Sequence, residues 1–221
     1  MAHGPNEVMS DLSLEDFVKQ INEYNKNKKA DTVKGIKLDF KSTDAFAKSQ
    51  DSLKIIVRSI SKIEWKNYMN EDNYAAWLNA DIVKGPVDSE AIPVNAGEFI
   101  KLAKELKDSK KKFTWSVGWT TKWTEEGVTL GKYSEKDVDL MITTLGDQPD
   151  QPITFPVRAG LVATSQVEMK KLLDKYKGST LTVWSSSSDE VNAPELQKFI
   201  KEIGIEKFIL MYQKYCRTNL I

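Results

Sequence analysis

A chain of 221 residues, 40% hydrophobic and 29% charged, is long enough to bury a core and has an ordinary globular composition. Lys+Arg and Asp+Glu both number 32, which excludes a strongly basic chain held to nucleic acid by bulk charge. A lone cysteine, Cys216, excludes an internal disulfide framework and a Cys-based zinc cluster; a lone histidine, His3, excludes multi-His metal sites.

In chain order, β-rich runs alternate with amphipathic ones. Ser13 and Asp16 read as a capping box for a helix bearing Leu14, Phe17, Val18, Ile21 and Tyr24, and the first strand follows at Gly35–Phe40 (GIKLDF). Leu53, Ile56, Val57, Ile60 and Ile63 stripe the next helix, ahead of a strand at Tyr74–Val83. Asn95 and Glu98 cap a helix with Phe99, Ala103 and Leu106, followed by a strand at Phe113–Trp119. Ser134 and Asp137 precede Val138, Met141, Ile142 and Leu145, with Gly146 as the stop before a strand at Ile153–Val157. Ser165 and Glu168 precede Met169, Leu172, Leu173 and Tyr176, with Gly178 as the stop before a strand at Leu181–Trp184. Asn192 and Pro194 open a last helix with Leu196, Phe199, Ile200 and Ile203, stopped by Gly204 ahead of a strand at Phe208–Tyr212.

Strand–helix units of this kind predict a parallel α/β architecture, and six strands fit either an open doubly wound sheet or most of an eight-stranded β/α barrel. No Pro/Gly/Ser-rich linker divides the sequence, so residues 1–221 read as one domain. The runs NKNKK (Asn25–Lys29) and KDSKKK (Lys107–Lys112) read as solvated helix ends. No stretch approaches the roughly 20 apolar residues of a membrane helix, and the first residues show no secretory signal.

The sequence has no GxxxxGK[ST] loop, no GxGxxG after a strand and no GxSxG elbow, and Cys216 lies in a terminal KYCRTN segment with no base in view. What remains is a set of polar residues at strand ends, where an α/β barrel places its active site. Asp39 and Lys41 share one side of the first strand by period-two geometry, and Asn79 and Asp81 share a side of the second. Trp119 ends the third, Arg158 the fourth and Ser185 the fifth. A carboxylate beside an ammonium, with an arginine across the barrel, could hold a divalent cation and an anionic phosphate; the same groups could equally form a structural network. Arg158 is expected at the barrel mouth, paired with Asp39, Asp81 or an anion. Trp115 and Trp184 read as core packing, whereas Trp119 and Trp123 flank a strand end where a ring could stack on a ligand or partner.

These segments resemble the menorin family, whose domain is similar to the phosphodiesterase-like barrels of the glycerophosphodiester phosphodiesterase and phospholipase C type. The matching words are MAHGPN (Met1–Asn6), KGIKLDFK (Lys34–Lys41), WLNADIVKGP (Trp77–Pro86), SVGWTT (Ser116–Thr121), TFPVRAG (Thr154–Gly160) and LTVWSS (Leu181–Ser186). The resemblance implies an α/β fold, an incomplete (β/α)8 TIM-type barrel of about six parallel strands. In the catalytic relatives a histidine ends the first strand, a metal-binding Glu-x-Asp pair ends the second, a second histidine follows, and an acidic-x-Lys pair ends the third. Carried over, His3 resembles the second histidine, Asp39 the third-strand metal carboxylate and Lys41 its partner. The first two strands of that pattern have no counterpart here, so the resemblance also implies either a chain truncated at its N-terminus or a stable six-stranded remnant, with truncation the expectation. By the resemblance the expected function is a non-catalytic protein-interaction module, as in cell-surface or extracellular recognition complexes of dendrite patterning, with protein partners such as cell-surface receptors, no nucleic-acid partner and no cofactor. The alternative is a metal-dependent phosphodiesterase of the glycerophosphodiester or phospholipase D-like type, needing Mg²⁺ or Ca²⁺ and the missing segment, with His3 and Lys41 catalytic.

Overall fold

The computed structural model describes residues 10–26, 34–60 (57–60 as backbone), 76–87, 89–106, 113–122, 131–148, 151–186 and 189–211. Six strands form one sheet: β1 (Ile36–Phe40), β2 (Ala76–Val83), β3 (Thr114–Trp119), β4 (Ile153–Arg158), β5 (Thr180–Trp184) and β6 (Phe208–Leu210). Every pairing is parallel and the spatial order equals the chain order. A doubly wound sheet reverses direction at a switch point, and this one does not. The strands follow one another as in a barrel wall, giving an incomplete TIM-type barrel. The adjacency of β1, β2 and β3 is the one the family resemblance requires.

Eight helices are described: α1 (Leu14–Asn25), α2 (Thr43–Lys48), α3 (Gln50–Ile60), α4 (Ala96–Glu105), α5 (Glu135–Leu145), α6 (Ala159–Val162), α7 (Gln166–Lys175) and α8 (Ala193–Ile203). Among the described residues no helix is long and apolar enough to cross a membrane. Caps fix most of their starts. Ser13, Asn95 and Asn192 each accept from a backbone N–H three residues on, and Ser134 with Asp137 closes a reciprocal capping box. Ser165 departs from the expectation: its hydroxyl makes no helix cap but donates to the Leu161 carbonyl (2.7 Å) and accepts from the Tyr133 amide (2.8 Å).

Strand alternation sorts the side chains into two layers. Phe40, Trp115, Trp119, Phe155 and Phe208 face the helices, where a belt of rings joins them. Phe40 meets Phe46 of α2 (4.8 Å between centroids), Phe99 of α4 meets Trp115 (6.1 Å), and Phe199 of α8 meets Phe208 (5.5 Å). Phe46 and Phe99 stack at 4.8 Å and both are fully buried. Phe46 also accounts for α2, a six-residue helix too short to show periodicity in the sequence, which Ser42 caps and this one ring anchors.

The opposite face is the concave, inner face of the curled sheet, and it is polar. Asp39, Asn79 and Ser116 meet across three strands, and Thr154, Thr180 and Thr182 form a hydroxyl cluster across two more. The β1 side chain Lys37 reaches Met211, just past β6 (3.4 Å from Nζ to Sδ), so the inner faces of the two edge strands approach one another. TIM-barrel interiors are usually filled by branched apolar side chains, so a polar inner face marks the place to look for function.

Candidate functional site

The site lies at the C-terminal ends of β1 to β5. In β1, Ile36, Leu38 and Phe40 are buried toward the helices, leaving Lys37, Asp39 and Lys41 on the inner side. Lys41 Nζ sits 2.9 Å from Asp39 Oδ2. In-register pairing sets Asp39 beside Asn79, whose Nδ2 donates to Asp39 Oδ1 at 2.6 Å, and Asn79 Oδ1 accepts from Ser116 Oγ at 2.6 Å. The amide orientation of Asn79 is therefore fixed from both sides. The result is a chain of polar groups, Lys41–Asp39–Asn79–Ser116, in which each Asp39 oxygen already accepts a hydrogen bond.

Asp81 lies two residues beyond Asn79 and opposite Gly118. A Cβ on Gly118 would come within 2.8 Å of Pro156 Cγ and 3.0 Å of Asp81 Oδ1, so this glycine leaves the space that Asp81 and Pro156 use. Burial raises the Asp81 pKa to about 6: the Asp39 charge adds to the rise, and Lys41 and Lys37 counter it without cancelling it. For Lys41, burial pulls downward, but the charge of Asp39 and its hydrogen bond prevail and hold the ammonium above its usual range.

Arg158 ends β4 and is buried, but its partner differs from the expected ones. Its Nε and Nη2 grip Asp189 Oδ2 (2.7 Å) and Oδ1 (2.5 Å), Nη1 donates to the Lys122 carbonyl (2.8 Å), and Nη2 also reaches Ser186 Oγ (3.3 Å). Trp184 lies beneath the guanidinium, 5.2 Å from its ring centroid. Neither Asp39 nor Asp81 is the counter-ion. Arg158 ties the loops after β3 and β5 to the end of β4, which is a structural clamp. Ser185 precedes Ser186 in one of those loops and is half-buried.

Trp119 is placed differently from its expected position at the mouth. It is 2% exposed on the helix side, its Nε1 donates to the Asp137 carbonyl (3.1 Å), and its ring packs on Tyr133 (5.0 Å). The alternation in TWSVGW held the signal: Thr114, Ser116 and Gly118 are small or polar and face inward, so the bulky residues between them face the helices. Trp115 is core, as expected, whereas Trp184 is half-buried against Arg158. His3, Trp123 and Cys216 lie outside the described residues. Sequence reasoning missed Lys37, although the period-two rule puts it on the same face as Asp39 and Lys41, and it missed Asp189, a loop residue 31 positions from its arginine with no periodicity to mark it.

The loop after β2 is pinned over this end of the sheet. The Gly85 N–H donates to Thr120 Oγ1 (3.0 Å), and a Cβ on Gly85 would fall 1.7 Å from the Thr120 carbonyl oxygen, so no larger residue fits.

Mg²⁺ and Ca²⁺ take six or more oxygen ligands. Around Asp39 the site offers two carboxylates, one engaged by Lys41 and Asn79, and an amide oxygen engaged by Ser116. Among the described residues no three His, Cys, Asp or Glu side chains cluster as a metal site, and water would have to supply the remaining ligands of such an ion.

The family of the menorin N-terminal domain matches residues 1–213. The human Protein FAM151B is 33% identical over 200 residues, covering 89% of this chain and 61% of the relative, so the chain spans about three fifths of that protein's length. No solved structure matches the chain. With residues 1–213 matched by the family and a relative 33% identical over most of this sequence, the chain belongs to the menorin family.

Proposed function

We propose that this chain works as a non-catalytic binding module, a menorin-type domain that contacts protein partners such as receptors in recognition complexes at or outside the cell surface. The observation that supports this reading best is the engagement of both Asp39 oxygens: one accepts from Lys41 and the other from Asn79, so the carboxylate already serves to order β1 against β2. Arg158, the other group suited to an anionic substrate, is consumed by Asp189.

One observation favours the second reading, a divalent-metal-dependent phosphodiesterase: Asp39, Lys41 and Asp81, whose pKa burial raises to about 6, converge toward the C-terminal ends of β1 and β2. In that reading Asp39 would be the metal carboxylate, and His3 and Lys41 would handle protons and charge at the phosphoryl group. The test is release of choline from glycerophosphocholine and lysophosphatidylcholine by the purified chain with Mg²⁺ or Ca²⁺. A binding module gives the blank rate. Turnover that disappears in Asp39→Ala would overturn the proposal.

A further inference from the structure

We infer that the floor of the inner face is an oxyanion subsite, in which the Lys37 ammonium and the Thr114 hydroxyl donate to a carboxylate or phosphate group. It goes beyond the reading above, and it lies below Asp39 and Lys41 on the same face, within reach of their charges and that of Asp81. Lys37 is two residues earlier on the same side of β1, about 6–7 Å further down the strand.

The argument starts from register. Lys37 pairs with Trp77 and Trp77 with Thr114, so the three stand in one row across β1, β2 and β3. They share the inner face: Thr114 is in phase with Ser116, which reaches Asn79, and Lys37 is in phase with Asp39. Lys37 is half-buried, and its ammonium meets a thioether, Met211 Sδ at 3.4 Å, and the Trp77 ring at 5.9 Å, while the carboxylates of Asp39 and Asp81 act on it through their charges without a hydrogen bond. An ammonium has three donors, a thioether is a weak acceptor, and an indole face at that distance adds little. Lys41, on the same strand face, has its carboxylate. Thr114 is the second unsatisfied group: it is 6% exposed and its Oγ1 has no hydrogen-bond partner. A buried hydroxyl left without a partner costs free energy, so this one is expected to have an acceptor or donor when the domain is at work. Trp77, between the two, supplies an apolar platform under a bound group. An oxyanion satisfies both neighbours at once, since it accepts from the ammonium and from the hydroxyl.

The test is a titration of the isotopically labelled chain with sodium phosphate and, separately, sodium acetate at low ionic strength and fixed pH, followed by NMR. Saturable shifts at Lys37, the Trp77 indole and Thr114 are expected, with the tighter salt telling phosphate from carboxylate chemistry. Affinity should fall at least tenfold in Lys37→Met and severalfold in Thr114→Val, and persist in Lys41→Met. Thr114→Val removes a hydroxyl that has no partner, so its Tm without anion should match the parent. A clear drop in that Tm would show the hydroxyl already satisfied and overturn the inference. So would the absence of saturable shifts with either salt, or binding lost in Lys41→Met and kept in Lys37→Met, which would place the anion beside Asp39. None of these failures touches the binding-module reading, whose test is turnover.

Discussion

Replacing Asp189 by alanine tests the account of the inner face where it is most quantitative. The guanidinium of Arg158 and the carboxylate of Asp189 are 1% and 0% exposed, and removing the carboxylate cancels the bonds at 2.7 and 2.5 Å. It also leaves the Ser186 amide without its acceptor at 2.9 Å. What remains is a buried cation held by the Lys122 carbonyl, Ser186 Oγ and the Trp184 ring. Breaking a buried pair from one side costs about 3–5 kcal/mol, because the partner's charge stays desolvated. With a urea m-value of about 2–3 kcal/mol/M, the unfolding midpoint should fall by about 1–2.5 M. Asp189→Asn, which keeps an acceptor, should fall less. The double variant Arg158→Met/Asp189→Ala, with neither charge buried, should recover part of the loss. The assay is urea unfolding followed by tryptophan fluorescence. A midpoint change under about 0.3 M for Asp189→Ala, or a double variant equal to the sum of the singles, would refute the reasoning.

Gly118→Ala puts a methyl 2.8 Å from the ring of Pro156, which cannot swing away, so thermal unfolding should report about 1–3 kcal/mol of destabilisation; an unchanged Tm would contradict the packing. Ser116→Ala strips the donor from Asn79 Oδ1 and should cost about 1–3 kcal/mol by denaturant unfolding; a neutral result would mean that the amide is satisfied otherwise. Asp81 gives a pH signature. Its folded-state pKa, about 6, lies above the unfolded value of 3.8, so the folded chain binds more protons between them and this group's contribution falls as pH rises from about 4 to about 6. The loss amounts to about 2–3 kcal/mol. Relative to Asp81→Asn, the parent should weaken across that window; parallel stability curves would show that Asp81 is not desolvated.

Much of the fold was legible because the relevant signals are local. Ser13, Asn95, Ser134 and Asn192 mark helix starts through hydrogen bonds three residues long, and each of the six β runs falls on an observed strand. The choice between a doubly wound sheet and a barrel was not legible from the elements alone, since strand order is a long-range property that only the resemblance addressed. The short helices α2 and α6 also escaped, because four to six residues span too little of a helical period to show one. At the site, alternation correctly put Asp39 with Lys41 on one face, but the partner of Arg158 comes from a loop brought in by tertiary packing. Ser165 shows the same limit: its sequence context reads as a cap, and its hydroxyl instead links Tyr133 to Leu161.

The claim on which the functional account turns is that the Asp39 carboxylate is committed to Lys41 and Asn79. Calorimetric titration of the purified chain with Mg²⁺ and with Ca²⁺, alongside Asp39→Ala, probes it most directly. The account predicts no saturable heat for the parent and traces superimposable on those of the variant. Saturable binding of either ion that vanishes in Asp39→Ala would contradict it.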